Sequence, residues 1–90
     1  MSILKTLELS TAHVKPSTLN PPHKTLLLAA YPEGAFFVVP QDDEDWKPYR
    51  DVPDDLLTVL KTARRLECDL VRFDCDADLY EGLATYVWEN

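Results

Sequence analysis

Glycine, long apolar runs and catalytic motifs are all scarce in this chain, and each scarcity excludes a class of protein. The two glycines, Gly34 and Gly82, are too few to build a glycine-rich phosphate loop or a dinucleotide-binding fingerprint. No apolar run approaches the roughly 20 residues that span a bilayer, so we expect neither a membrane segment nor a secretion signal. No nucleophile elbow or other catalytic motif is present. We therefore predict a protein that is not an enzyme and that carries no cofactor.

Cysteine is also scarce, and its spacing excludes two kinds of cross-link. Cys68 and Cys75 flank a predicted strand, which holds their Cα atoms beyond the roughly 7 Å limit of a disulfide. Neither His13 nor His23 lies near a cysteine pair, as a zinc site requires. We expect two small side chains at or near the core of a protein that stays reduced in the cytoplasm.

Basic residues are scarce as well, with 9 Lys and Arg against 16 Asp and Glu and a net charge of −7. The imbalance lies in one half of the chain: residues 1–40 carry +1 and residues 41–90 carry −8. A surface of this sign repels phosphates, which argues against direct binding to nucleic acid or to an anionic membrane.

What the chain does contain is the composition of one globular domain, 90 residues with 46% hydrophobic and 28% charged side chains. Alternation predicts a strand over residues 3–10. The apolar runs 26–31 and 35–39 predict a hairpin, with Gly34 in a left-handed conformation closing a three-residue loop. A short helix within residues 23–30 is the alternative, because this stretch contains good helix formers.

The second half predicts one long helix, over about residues 52–66. Asp51 can cap the N-terminus of this helix. Acidic residues lie in its first turn and basic residues in its last turn, and apolar residues recur at spacings of three and four. A strand at 70–73, an acidic loop at 74–82 and a last strand or docked tail at 85–88 follow. The predicted fold is α+β, a small and mostly antiparallel sheet of about four strands with the helix on one face.

An acidic loop with aromatic neighbours is the first candidate site. Aromatic side chains beside charge are common anchors of protein interfaces, so this loop predicts contact with a partner that has a basic surface. A solvated run that only keeps the protein soluble is the alternative. The residues are Asp42, Asp43, Glu44, Asp45, Trp46 and Tyr49.

A polar cluster at strand ends is the second candidate, formed by His13, Arg72, Asp74 and Asp76. It can bind an anionic ligand, or it can be a set of structural ion pairs and hydrogen bonds, and we favour the structural role. Asp74, Asp76 and Asp78 have the spacing of the first three calcium ligands of an EF-hand. That loop needs Gly and Glu where Leu79 and Thr85 stand, so no metal ligands are assigned.

Three segments together resemble a small bacterial family of unknown function: Ser10 to His13, Arg72 to Asp76 and Gly82 to Trp88. The resemblance implies an accessory gene, found mainly on plasmids and integrative elements, and it supplies no catalytic residues. Ala84 replaces a proline expected before Thr85, and the segment after His13 is short and rich in proline.

These observations favour a small acidic accessory or regulatory protein that acts through protein–protein interaction. A DNA mimic or anti-defence inhibitor is the first alternative, because spaced carboxylates can occupy a basic nucleic-acid site. A ligand- or divalent-metal-binding domain is the second. A homo-oligomer is compatible with so small a core.

Overall fold

A four-stranded sheet forms the body of the protein. The structure is a computed structural model that describes residues 3–19, 26–41 and 52–88. The strands are β1 (Thr6–Ser10), β2 (Leu27–Tyr31), β3 (Gly34–Val38) and β4 (Leu70–Asp74). Short helix α1 (Pro16–Leu19) follows β1, and helix α2 (Asp54–Arg65) lies between β3 and β4.

The sheet is mixed, with the order β1-β4-β3-β2. Strand β4 pairs antiparallel with β3 and parallel with β1, whereas the prediction was a mostly antiparallel sheet. Side-chain alternation reports which face of a strand is buried and carries no information about the neighbour it selects. The α+β class, the four strands and the single long helix are otherwise as predicted.

The predicted hairpin is confirmed, but its loop is shorter and its glycine acts differently. Tyr31 faces Gly34 across a loop of Pro32 and Glu33, and an irregularity at Leu28 shifts the register of β2. Residues 27–30 are strand, so the helix alternative is wrong there; residues 23–25 lie outside the described part of the chain. The prediction of a left-handed Gly34 is wrong, since its φ is not in that region.

Gly34 is required by a close approach between strands. A Cβ atom on this residue would lie 1.8 Å from the carbonyl oxygen of Phe73 and 2.6 Å from its carbonyl carbon. Both atoms belong to the backbone of β4 and cannot rotate away. The absence of a side chain therefore lets β3 and β4 pair at the hairpin end.

Helix α2 has the predicted apolar stripe, with Leu56, Val59, Leu60 and Ala63 buried. Asp51, the predicted cap, lies outside the described residues, and Pro53 occupies the N-cap position without a side-chain hydrogen bond. Asp55 is buried because its Oδ2 accepts hydrogen bonds from the amide of Lys15 at 2.7 Å and from the hydroxyl of Thr18 at 2.6 Å. The first turn of α2 thereby holds α1 in place.

The core lies between α2 and one face of the sheet. Strand alternation directs Leu9, Phe37, Val71 and Phe73 into it, and each is fully buried. The rings of Phe37 and Phe73 meet edge to face with centroids 5.8 Å apart, which is a favourable arrangement for aromatic pairs. The opposite face, which carries Arg72, is open and is called the open face below.

Residues 78–88, after β4, form a docked tail. Of the two predictions for residues 85–88, a last strand or a docked tail, the docked tail is therefore confirmed. It has no regular secondary structure in this range. The amide of Ser10 donates to the carbonyl of Asp78, and the amide of Tyr86 donates to that of Ala12. These bonds tie the tail to the last residue of β1 and to the turn that follows it.

Two further expectations concern membranes and cysteines. Among the residues that the structure describes, no helix is long and apolar enough to cross a bilayer. Both cysteines are free, and Cys68 is buried as expected, but Cys75 is exposed, so its placement at the core was wrong. Cys75 follows the last residue of β4, where the chain turns away from the core.

We expect Gly34→Ala to lower the free energy of unfolding by about 3 kcal/mol, because the new methyl collides with backbone atoms. Gly82 is the matched control, since its φ is +98° but a Cβ there meets nothing within 4 Å. Gly82→Ala should therefore lower it by roughly 1 kcal/mol, through backbone strain alone. Urea unfolding measures both, and equal effects would contradict the close-approach argument.

Candidate functional site

The structure brings three of the four predicted cluster residues together. Arg72 and Asp74 are both on β4 and form an ion pair, with Nη2 3.1 Å from Oδ2. The amide of Asp76 donates to Oδ1 of Asp74 at 2.8 Å. His13 contacts the docked tail instead. The acidic and aromatic residues of the other candidate site, 42–46 and Tyr49, lie outside the described residues, so that site stays a prediction.

Arg72 connects all four strands across the open face. Its Nη1 donates to Glu8 of β1 at 2.7 Å, and its Nε donates to the hydroxyl of Tyr31 in β2 at 3.0 Å. Its guanidinium carbon also lies 5.6 Å from the ring centroid of Phe36 in β3. The planar fork of arginine suits such multiple contacts, which the single ammonium of lysine cannot reproduce.

Tyr31 reaches across Gly34 to β4. Its hydroxyl donates to the carbonyl oxygen of Phe73 at 2.7 Å and lies 3.2 Å from Oδ2 of Asp74. Partial burial raises the pKa of the Tyr31 phenol, although Arg72 opposes the shift. The hydrogen bond with Tyr31 in turn raises the pKa of the Arg72 guanidinium. Arg72 stays charged, and two carboxylates oppose its charge, so the group is structural and offers no anion site.

His13 is buried and both of its ring nitrogens are used. The amide of Tyr80 donates to Nε2 at 2.7 Å, and Nδ1 lies 2.9 Å from the carbonyl oxygen of Ala84. A backbone amide can only donate and a carbonyl can only accept, so the proton is on Nδ1. No lone pair of the imidazole ring remains to accept a proton from a substrate. The two hydrogen bonds of His13 attach the tail to the rest of the fold.

The turn after β4 contains the one set of grouped metal-ligand atoms among the described residues. One ligand atom from each of Asp74, Cys75 and Asp76 lies within 4.8 Å of the others. Asp74 is already bonded to Arg72 through Oδ2 and to the Asp76 amide through Oδ1. A cation would compete with the guanidinium for this carboxylate, so the grouping does not favour a metal site.

Cys75 is exposed but poorly suited to act as a nucleophile. Partial desolvation raises the pKa of its thiol, and the negative charges of Asp76, Asp74 and Glu33 raise it further. The thiolate is the reactive form, so little of it is present at neutral pH. A catalytic thiol needs the opposite surroundings.

A cavity of about 500 Å³ lies beside this turn. It is at the carboxyl ends of the parallel strands β1 and β4, where Thr11 and Cys75 follow the last strand residues. The tip of the hairpin and the end of the tail complete its wall. Its described lining residues are Thr11, Leu19, Ala30, Tyr31, Pro32, Glu33, Gly34, Cys75 and Trp88. This strand-end cavity has a volume typical of small-molecule sites.

The sequence did not predict which residues complete the Arg72 network or which residues line the strand-end cavity. Glu8 and Tyr31 complete the Arg72 network, but each is far from Arg72 along the chain and has no motif around it. Glu33 and Trp88 both line the cavity, although one lies in the hairpin loop and the other at the end of the docked tail. A polar or aromatic residue at the end of a predicted strand was the available signal.

We expect Arg72→Lys to lower the melting temperature by several degrees and Glu8→Gln to lower it by much less. Lysine keeps the charge but cannot contact Tyr31, Glu8 and Asp74 together, whereas Glu8 is a half-exposed partner whose ion pair is worth little. Thermal unfolding followed by circular dichroism compares them. An unchanged melting temperature for Arg72→Lys would show that Arg72 acts through its charge alone.

We expect Cys75 to react slowly with iodoacetamide at neutral pH, compared with a cysteine in an unstructured peptide, because its pKa is raised. The rate should rise with pH along a curve displaced to higher pH. Asp76→Asn should move that curve back, and Asp54→Asn, a distant exposed acid, should not. An alkylation rate equal to that of the peptide would contradict the negative surroundings.

Comparison with known proteins identifies a family but no function. No curated protein and no solved structure matches the chain. The family model described as "Family of unknown function (DUF5983) C-terminal domain" matches residues 6–88. The predicted membership in a family of unknown function is confirmed, while the association with mobile DNA stays a prediction. Because the match spans most of its length, the chain belongs to this family of unknown function.

Proposed function

We propose that the protein is a non-enzymatic binding domain that contacts a protein partner with a basic surface. The observation that carries this proposal is that the candidate catalytic groups are used by the fold. His13 has both nitrogens bonded to backbone groups, and Arg72 and Asp74 neutralise each other. The exposed thiol of Cys75 has a raised pKa.

Charge supports a basic partner. Asp76, Asp78 and Glu81 are exposed in the loop after β4 and are called the acidic turn below. Glu33, at the tip of the hairpin, is also exposed. A surface of one sign accelerates encounter with a surface of the opposite sign and excludes partners of the same sign. The turn therefore supplies a negatively charged surface for basic proteins; the acidic residues 42–45 lie outside the described part of the chain.

More specifically, we propose an accessory or regulatory protein that acts in the cytoplasm and whose gene is carried on bacterial mobile DNA. The resemblance of three segments to a plasmid-borne family supports the genetic context. The two free thiols are compatible with a reducing compartment. If the partner is a nucleic-acid-binding protein, the acids would occupy its phosphate-binding site, which is the mimicry alternative.

The test is affinity capture from source cells with two variants of equal net charge. Asp78→Asn with Glu81→Gln removes two charges from the acidic turn. Asp54→Asn with Glu67→Gln removes the same residue types from exposed positions elsewhere. We expect a protein that the wild type and the second variant retain and that the first variant loses.

Calorimetry with that purified protein then measures the ionic contribution. The affinity should fall several-fold from low to high salt, because exposed charges are screened. Competition by duplex DNA would identify the mimicry form of the proposal. Capture that does not distinguish the variants, or an affinity independent of salt, would contradict the proposed function.

A further inference from the structure

The strand-end cavity has apolar walls that suit the alkyl part of a ligand. Leu19, Ala30 and Pro32 contribute aliphatic surface, and Tyr31 and Trp88 contribute aromatic rings. The polar atoms of both rings are already bonded: the Tyr31 hydroxyl donates to Phe73, and the Trp88 indole donates to the carbonyl of Val14 at 2.9 Å. The two residues therefore have no spare hydrogen-bond donor. The guanidinium of Arg72 lies 5.5 Å from the centroid of the Tyr31 ring, so among the described residues Trp88 is the aromatic lining residue without a cation beside it.

The charge around the cavity is negative. Glu33 is the one carboxylate among its described lining residues, and the acids of the turn after β4 are adjacent. Cys75 also lines the cavity and lies close to these acids, because the charges of Asp76, Asp74 and Glu33 all raise the pKa of its thiol. The cation nearest along β4, Arg72, is on the open face and is paired with Glu8 and Asp74.

Aromatic walls beside a carboxylate are a recurrent arrangement for binding organic cations. The negative faces of the rings attract the cation, and the carboxylate adds a direct ionic contact. An anionic ligand would meet Glu33 and the acids behind Cys75. A neutral apolar ligand would leave the carboxylate without a counter-charge.

We propose that the strand-end cavity binds the side chain of a lysine or arginine supplied by the protein partner, with the alkyl stem between the apolar walls and the cationic end near Glu33. This inference rests on the proposed function and names the chemistry of the contact. A 500 Å³ space accommodates either side chain without rearrangement of the strands. The partner's other basic residues would face the acidic turn.

The test uses blocked amino acids as probes and the full chain labelled with ¹⁵N. The Nα-acetyl N-methylamides of lysine and arginine represent the partner, the norleucine derivative is a neutral match for the lysine stem, and the glutamate derivative is the anionic control. Butylammonium represents a small free amine. The indole signal of Trp88, assigned with Trp88→Phe, reports occupancy of the cavity at constant ionic strength.

We expect the lysine or arginine derivative to shift the Trp88 signal at concentrations where norleucine and glutamate do not. Glu33→Gln should weaken this binding by about threefold to fivefold, in the range of an exposed ion pair. Its side chain makes no hydrogen bond among the described residues, so the fold is unaffected. Glu67→Gln, an exposed acid outside both the cavity lining and the acidic turn, should leave the binding unchanged.

Three results would overturn the inference. They are no shift with either cationic derivative, an equal shift with norleucine, and a shift with butylammonium alone, which would indicate a free amine. Capture that still depends on the acidic turn while the probes fail would overturn this inference only. Charge-selective probe binding without turn-dependent capture would instead contradict the proposed function.

Discussion

Strand β4 must pair on both of its edges at once, and most of the structure depends on that requirement. It arrives last, after α2, and lies between β1 and β3. Its alternation sends Val71 and Phe73 into the core and Arg72 to the open face. Because β4 is parallel to β1, both strands end at the same edge of the sheet, and the turn after β4 meets the 3₁₀ turn formed by Thr11–His13 after β1. The cavity and the docked tail both arise from this meeting, whereas the steric demand for glycine at position 34 arises from the pairing of β4 with β3.

Three polar side chains join parts of the fold that are distant in the chain. His13 bonds the tail, Asp55 bonds the start of α1, and Arg72 links the strands across the open face. Each is satisfied by a partner distant in the chain, which lowers the cost of leaving water. Near the strand ends, Glu33 and the acidic turn are exposed. This negative charge is the basis of the proposed contact with a basic partner, and the cavity is the proposed site of that contact.

The sequence predicted those features that depend on neighbours along the chain. The hairpin follows from two apolar runs around Pro32, and α2 follows from the apolar stripe that ends near Leu66. The parallel pair could not be predicted, because strand partners are chosen by packing across the core. For the same reason Cys75 was misplaced and His13 was grouped with Arg72. The hydrogen-bond partners of His13 and Arg72 could not be predicted either, because a buried or strand-bound polar group needs partners but their identity is a tertiary property.

The central claim is that the polar groups which could act in catalysis are already hydrogen-bonded to other parts of the fold. His13 tests it most directly, because a free imidazole nitrogen beside a cavity would be a candidate base. The measurement is the scalar coupling, by nuclear magnetic resonance, between the amide nitrogen of Tyr80 and Nε2 of His13 across their hydrogen bond. We predict an observable coupling, together with a proton bound to Nδ1. A proton on Nε2 with no coupling to Tyr80 would contradict the claim and make His13 a candidate for catalysis.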